Sequence, residues 1–420
     1  MRILKLSEFL NENEYQVFVL SARGDEIVDY FGYERVLEKF SCTYIYDELT
    51  NRACRSWNQS QLSKDKLSNI KSEKSIQSLL FSWAKNIIHE ISVPDINRYF
   101  INKYLRKAIK LIEINNIRDV IISSPSHSMQ LIGPELKKRF NGQIKLIVDY
   151  RDSWNTTGIF KKKLKPFQKF NESLEKNVLK SADYFTYVSQ PMLDKIAKKY
   201  GDFIKNKAHL IMNGFDDSMI IRKVNVNPST FDKDNNTICM GYFGGIGSEW
   251  RDPSNFVKAL KEVLNENKKD LKVKLYFYGS IPANIKQFIY KELEERVEFN
   301  EGIGHTDALR IMHRMDYLLI FHSKIDGADE VITGKFFEYL AVRKPIIVIG
   351  PNNMEAAKLT EENNLGIIMD ITNHQNMCDK LRPILKKEID TTQFYKGFNI
   401  NKYSRQFQYK KFLEILSSDK

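Results

Sequence analysis

The chain has 420 residues, enough for two domains of ordinary size, each with its own core. Hydrophobic residues make up 42% and aromatics 12%, which excludes a disordered chain. With 65 Lys and Arg against 53 Asp and Glu the formal charge is +12, which favours an anionic partner: nucleic acid, a phosphorylated ligand or an acidic membrane surface.

Ile3, Leu4, Leu6, Phe9 and Leu10 recur at helical spacing, and the spacing predicts a helix over 3–10 followed by a strand over 16–21. A βαβ unit needs a strand before that helix, and strand plus crossover take at least ~15 residues. The expectation is therefore that the first strand of the sheet and its loop are missing from this chain. Residues 41–118 are the least regular. Trp57, Leu79, Leu80, Trp83, Ile87 and Ile88 predict one or two amphipathic helices beside a polar stretch, 59–78. The pattern then sharpens: a helix over 98–114, a strand over 119–122, Ser123 to His127, a helix to Arg139, and a strand over 144–148 that runs into Asp149, Arg151 and Asp152. Lys161, Lys162, Lys163, Lys165 and Lys169 cluster beside Ile159, Phe160, Phe167 and Phe170, which fits a lipid head-group contact and a solvated helix start equally well. A helix over 170–181, a strand over 184–188, a helix over 190–200 and a strand over 208–212 complete a run of strand–helix repeats. Such a run means a parallel, doubly wound sheet.

Polar residues 222–236 read as a linker, and the expected organisation is a first domain over 1–216, a linker over 217–236, a second domain over 237–400 and a C-terminal helix in 401–420 docking back on the first domain. In the second domain a strand over 237–243 leads to Gly244, Gly245 and Gly247, then a helix over 253–265. A strand over 273–278 leads to Gly279 and Ser280, then a helix over 285–296; a short strand over 297–299 precedes Gly302 and a helix over 305–315. Strands over 317–321 and 345–349 bracket a helix over 336–342. Each half is thus an α/β, Rossmann-like sheet, and a ligand cleft between the halves is expected.

The residues that carry chemistry sit at predicted strand ends. Gly244 and Gly245 follow a strand and precede a helix, as a phosphate loop does, but without GxGxxG spacing or a Walker lysine the signal is weak. Arg251 stands at the start of the next helix, where a cation meets phosphate oxygens. Glu330 and Glu338 flank Thr333, Gly334 and Lys335 at a helix start, whose free N–H groups suit a phosphate. On spacing alone, a solvated acid and a salt-bridge partner explain the two glutamates better than a site does. The histidines are dispersed, and Cys42, Cys54, Cys239 and Cys378 lack metal-site spacing, so no metal is expected and the thiols fit a reducing compartment. Asp232 and Asp234 form a DxD lacking a flanking strand. No leader or membrane-length apolar run occurs, and the expected location is cytoplasmic.

Five stretches, 123–128, 148–154, 182–189, 211–216 and 334–341, occur in an order and spacing in which the chain resembles the GT-B glycosyltransferases of the retaining family four type, particularly bacterial surface-polysaccharide enzymes. The resemblance implies two Rossmann-like sheets facing across a cleft and transfer of a hexose from a nucleotide-sugar. It also implies an E-x7-E pair: Glu338 on the donor ribose, Glu330 facing the donor sugar. Gly334 and Lys335 would bind the distal phosphate, with Thr333 beside them. Arg251 takes the place of a lysine that grips the diphosphate; Gly245, next to Gly244, replaces the family's arginine; Ser280 approaches the donor, and Gly302 flanks the base. His127 and Asp152 are the acceptor-side candidates for catalysis. No metal and no cofactor beyond the donor is implied. The partners are the nucleotide-diphosphate sugar, a glycan or lipid-linked acceptor and the anionic inner face of the membrane, with no nucleic acid. A GT-B nucleotide-sugar epimerase and a truncated, weakly active homologue are the alternatives.

Overall fold

The computed structural model describes residues 2–23, 41–46, 90–158, 161–162, 164–221, 236–247, 251–266 and 272–418. The chain divides into two units, one of Met1–Val188, Met192–Ile211 and Tyr409–Lys420, the other of Ser189–Pro191 and Met212–Gln408. The predicted helices around Trp57 and Trp83, the DxD at Asp232 and Asp234, and Ile159, Phe160 and Lys163 of the basic cluster lie outside the described residues.

In the first unit, α1 (Arg2–Glu12) precedes β1 (Phe18–Arg23), which pairs in parallel with β2 (Ser41–Tyr46), Phe18 opposite Ser41. After α2 (Ile101–Asn115) comes a separate four-stranded parallel sheet: β3 (Asp119–Ser124), β4 (Lys145–Tyr150), β5 (Tyr184–Tyr187) and β6 (Ala208–Leu210), in that order. The crossovers are α3 (Ile132–Arg139), α4 (Lys165–Ser181) and α5 (Gln190–Tyr200). α4 begins a turn earlier than its apolar spacing predicts, because Pro166 occupies the first turn, where a missing N–H is no loss. β4 is buried along its whole length, as a strand covered on both faces must be. That places Asp149 inside the unit, and a buried carboxylate needs partners. It accepts from Arg2 Nη2 at 2.9 Å and Nε at 3.1 Å, from Ser123 Oγ at 2.6 Å and from Thr186 Oγ1 at 2.6 Å.

The second unit is a six-stranded parallel sheet. In chain order it runs β7 (Ile238–Phe243), α6 (Ser254–Glu266), β8 (Val273–Tyr278), α7 (Ala283–Leu293), β9 (Val297–Asn300), α8 (His305–Met312), β10 (Tyr317–Phe321), α9 (Gly334–Val342), β11 (Ile346–Gly350), α10 (Glu355–Glu362), β12 (Gly366–Asp370) and α11 (His374–Leu385). Across the sheet the order is β12-β11-β10-β7-β8-β9. β2 and β12 are strands that the sequence pattern did not resolve, both short and unmarked by clean alternation. β8 and β9 lie to one side of β7 and β10 to β12 to the other, so the winding reverses between β7 and β10. In an open parallel sheet that reversal leaves a crevice at the carboxyl ends of the two strands. α12 (Arg405–Ser417) closes the chain: Tyr409, Phe412 and Ile415 pack with Leu6, Phe9 and Leu10 of α1 and Ile147 of β4 in the first unit's core.

Candidate functional site

The chain leaves β7 at the switch point through Gly244 and Gly245. Gly244 has φ +122°, and a Cβ there would lie 2.5 Å from Lys335 Cε and 2.7 Å from its Nζ. Gly279, with φ +131°, lies so close behind that a Cβ would meet the Gly244 carbonyl carbon at 2.7 Å. Both positions favour glycine for backbone conformation, and Gly279 also for space, because its neighbour is backbone. The loop is pinned by Gly244 N–H donating to Tyr278 O at 2.7 Å and Ile246 N–H to Ser280 O at 2.9 Å, which brings Ser280 beside Gly245.

Lys335, in the first turn of α9, reaches back to this loop. Its Nζ donates to the Tyr242 hydroxyl at 2.6 Å and stands 3.8 Å from the ring centroid, and the Tyr242 hydroxyl donates to Gly245 O at 3.0 Å. Burial holds the Lys335 amine well below its ordinary pKa; the neighbouring Arg251 pushes the same way and Glu338 opposes them. Burial raises Tyr242 to about 12, with Arg251 opposing. The Arg251 guanidinium stands 3.5 Å from Gly245 O. His322, at the end of β10, is buried, and burial with help from Arg251 lowers its pKa. Two cationic side chains thus meet over a glycine loop, and the enclosed one is poorly stabilised in its charged form. An anion there supplies the missing counter-charge.

Glu330 ends a turn of 3-10 helix, Ala328–Glu330, with only 1% of its surface exposed; its backbone carbonyl accepts from Ser189 Oγ at 2.7 Å. Thr333 precedes α9 in extended conformation, but its side chain makes no capping bond and its buried Oγ1 has no hydrogen-bond partner among the described residues. Glu338, one turn into α9, lies 3.3 Å from His305 Nε2 at the start of α8. Gly334 and Gly302 face open space. The structure therefore gathers Gly244, Gly245, Arg251, Ser280 and Lys335 around one loop, with Glu338 three residues beyond Lys335 on α9. Tyr242, His305 and His322 were missed in the sequence because each sits in or beside an element where it reads as core or as a surface histidine.

The first unit holds the other two candidates. His127 is fully buried, stacked on Trp154 at 5.2 Å between ring centroids and edge-on to Tyr150 at 5.7 Å. Burial pushes its pKa down to about 3, although Asp95 acts in the opposite direction. Asp152 lies in the loop after β4; desolvation raises its carboxyl pKa, with Arg151 opposing. Arg151 itself donates to Ser124 O and Pro125 O, both at 3.2 Å, tying this loop to the end of β3.

Residues 81–219 match the sequence model described as Glycosyltransferase Family 4. No curated protein sequence matches the chain. Among solved structures, Anabaena Alr3699/HepE in complex with UDP and glucose superposes with a TM-score of 0.56 at 13% identity, over 96% of this chain and 100% of that one. Sucrose-phosphate synthase from Thermosynechococcus elongatus does so with a TM-score of 0.59 at 12% identity, over 98% and 91%. The lipopolysaccharide outer core galactosyltransferase WaaB, in its apo form, gives 0.54 at 13% identity, over 95% and 98%. At such identities the likeness speaks for the fold, the α/β, GT-B class with two Rossmann-like domains that the sequence led us to expect.

Proposed function

We propose that this chain, a GT-B glycosyltransferase of the family four type, transfers a hexosyl unit from a nucleoside diphosphate sugar to a glycan or lipid-linked acceptor, with retention of configuration and without a metal. The observation that carries the donor half is the enclosed Lys335 beside Arg251 over the Gly244 loop at the switch point. As the glycosidic bond breaks, negative charge grows on the departing diphosphate. Arg251, Lys335 and the uncapped N-terminus of α9 are fixed where such charge is stabilised, and fixed dipoles and cations need no reorganisation during the step. Two protein cations in that position do the electrostatic work that a divalent ion does elsewhere. Glu338 takes the ribose hydroxyls and Glu330 a hydroxyl of the donor sugar. In retention by front-face attack the leaving phosphate accepts the acceptor's proton, so a protein base is optional; this accommodates a buried His127 and leaves Asp152 as the acceptor-side acid.

The decisive experiment is a donor screen with the purified chain, reading release of UDP, GDP or ADP and the anomeric configuration of the product by NMR. With the active donor, Arg251→Ala and Glu330→Ala are expected to lower kcat by roughly 100-fold or more each, the usual cost of removing one group aimed at transition-state charge. Unchanged turnover in both variants sinks the site assignment, and loss of turnover in EDTA that added divalent ion restores sinks metal independence.

The acceptor reading rests on the first unit's surface. Leu164 N–H donates to Glu90 Oε1 at 2.6 Å and Lys162 Nζ to Ser92 O at 3.0 Å, and the Arg98 guanidinium stands 5.3 Å from the Phe170 ring centroid, joining residues 90–98 to 162–170. Ile91, Ile96, Tyr99, Leu164 and Phe170 are exposed there, with exposed Lys161, Lys165 and Lys169 among them. Apolar tips ringed by lysines suit an anionic lipid surface, where a lipid-linked acceptor is held. No described helix is long and apolar enough to cross a membrane.

A further inference from the structure

α6 and α11 lie side by side on the second unit's sheet and share one core, Phe256, Val257 and Leu260 from one with Met377, Leu381 and Leu385 from the other. At the solvent edge of this seam three potential metal ligands converge. Glu262 comes from α6. His374 and Cys378, four residues apart and hence on one face, come from the first two turns of α11. His374 Nε2 lies 2.8 Å from Glu262 Oε2, Cys378 Sγ lies 3.8 Å from Glu262 Oε1, and all three donor atoms lie within 4.8 Å of one another. In a tetrahedral zinc site, ligand atoms about 2.0–2.3 Å from the ion are separated by roughly 3.3–3.6 Å. The two separations to Glu262 bracket that spacing, and the third lies within 4.8 Å.

We propose that Glu262, His374 and Cys378 form a zinc-class transition-metal site that staples α6 to α11, with water as the fourth ligand. The neighbouring rung of the same helix pair shows what an ordinary ion pair looks like here. One turn on, Arg382 makes a two-pronged contact with Glu266, at 2.8 and 2.7 Å, with no thiol involved. The rung at Glu262 differs because a soft, buried sulfur donor, which also lies 3.9 Å from Ala259 O, faces one carboxylate oxygen while the imidazole meets the other. An imidazole, a thiolate and a carboxylate select Zn²⁺ or Co²⁺ over Mg²⁺ or Ca²⁺. A thiolate and a carboxylate also neutralise the dication. Glu262 and His374 are each about half exposed, at 49% and 47% of their side chains, so the open position faces solvent. Binding displaces the Cys378 proton, and affinity therefore rises with pH. The site belongs to the helix pair and not to the glycine loop, so it holds whichever sugar is transferred.

The test uses the full chain, stripped with chelator and titrated with Co²⁺. The expected result is one equivalent bound, with a thiolate-to-cobalt charge-transfer band that Zn²⁺ abolishes by competition. Zinc at about 100 times its Kd is expected to raise the Tm of the second unit's own unfolding transition by roughly 5–10 °C. His374→Ala and Glu262→Gln, both half-exposed positions where folding is not at stake, are each expected to lower zinc affinity at least tenfold and to leave nucleotide release unchanged. Cys378→Ser removes the band if that variant folds. Absence of the band in the wild-type chain overturns the site. So does a band of undiminished affinity in both His374→Ala and Glu262→Gln, because another cysteine is then the ligand.

Discussion

His127 and Glu175 are buried ionisable side chains of the first unit, and they make opposite demands on pH. His127, taken from 6.5 to about 3 by burial, is neutral when folded. The unfolded chain therefore binds the extra proton below pH 6.5, and the His127 contribution to stability, complete above that pH, is lost as pH falls toward 3. Glu175, raised from 4.5 to about 7 by burial against the opposing bonds from Tyr200 and Asn155, is protonated when folded. Its contribution is complete below pH 4.5 and is lost as pH rises through 7. Each slope is about 1.4 kcal/mol per pH unit at most. The two cancel between pH 4.5 and 6.5, and below pH 4.5 only the His127 loss remains. His127→Phe, which keeps an aromatic ring against Trp154, is expected to flatten that acid limb, so that between pH 4.5 and 3.5 the wild type loses about 1 kcal/mol more than the variant in urea titrations. Parallel limbs contradict the neutral, buried His127. The family resemblance offered His127 for catalysis, as the histidine nearest the strand end where such enzymes carry one. Burial against Trp154, 27 residues away, is a tertiary fact that no local pattern carries.

At the scale of elements, α12 shows how a helix that is legible in sequence finds an illegible partner. Its apolar residues, Tyr409, Phe412 and Ile415, recur at helical spacing, and the pattern predicted a helix here. What stops its last turn from exposing bare carbonyls is Lys145, from the far end of β4. Lys145 Nζ donates to Ile415 O at 3.0 Å, Leu416 O at 2.9 Å and Ser418 O at 2.6 Å, with only 9% of the side chain exposed. A cation at a helix C-terminus meets the negative end of the dipole as well as the orphan acceptors. Lys145→Met fills the space but satisfies none of the carbonyls, and the expected cost is about 2–3 kcal/mol. It is read as a lower urea midpoint together with faster amide exchange in the last turn of α12. A shift under about 0.5 kcal/mol says that water replaces the lysine without loss. In the sequence Lys145 is merely a polar residue near the start of the apolar strand expected over 144–148. The same limit applies to α9, whose apolar run and preceding Gly334 were plain, whereas the return of Lys335 to Tyr242, 93 residues earlier, was not.

For the whole molecule, the excess of positive charge is a statement about partners, and the exposed apolar and basic patch on the first unit is where it becomes specific. The chain is expected to float with vesicles of neutral lipid doped with anionic lipid and to stay behind with neutral vesicles. Lys165→Ala with Lys169→Ala is expected to weaken that binding roughly 30-fold, at about 1 kcal/mol per surface lysine. Equal partition on both vesicle types, or no change in the double variant, removes the membrane from the account. By itself the sequence determined the α/β class, the succession of strands and helices from β7 to β11 of the second unit, and the family likeness. These rest on short-range periodicity and on motif order along the chain, which one dimension records fully. Only the tertiary structure decided that Tyr242, Arg251 and Lys335 meet at the Gly244 loop, that His127 is sealed behind Trp154, and that Glu262, His374 and Cys378 meet at a helix seam. Each of those depends on which elements lie side by side. Strand order and burial set that, and both are products of packing the whole chain at once.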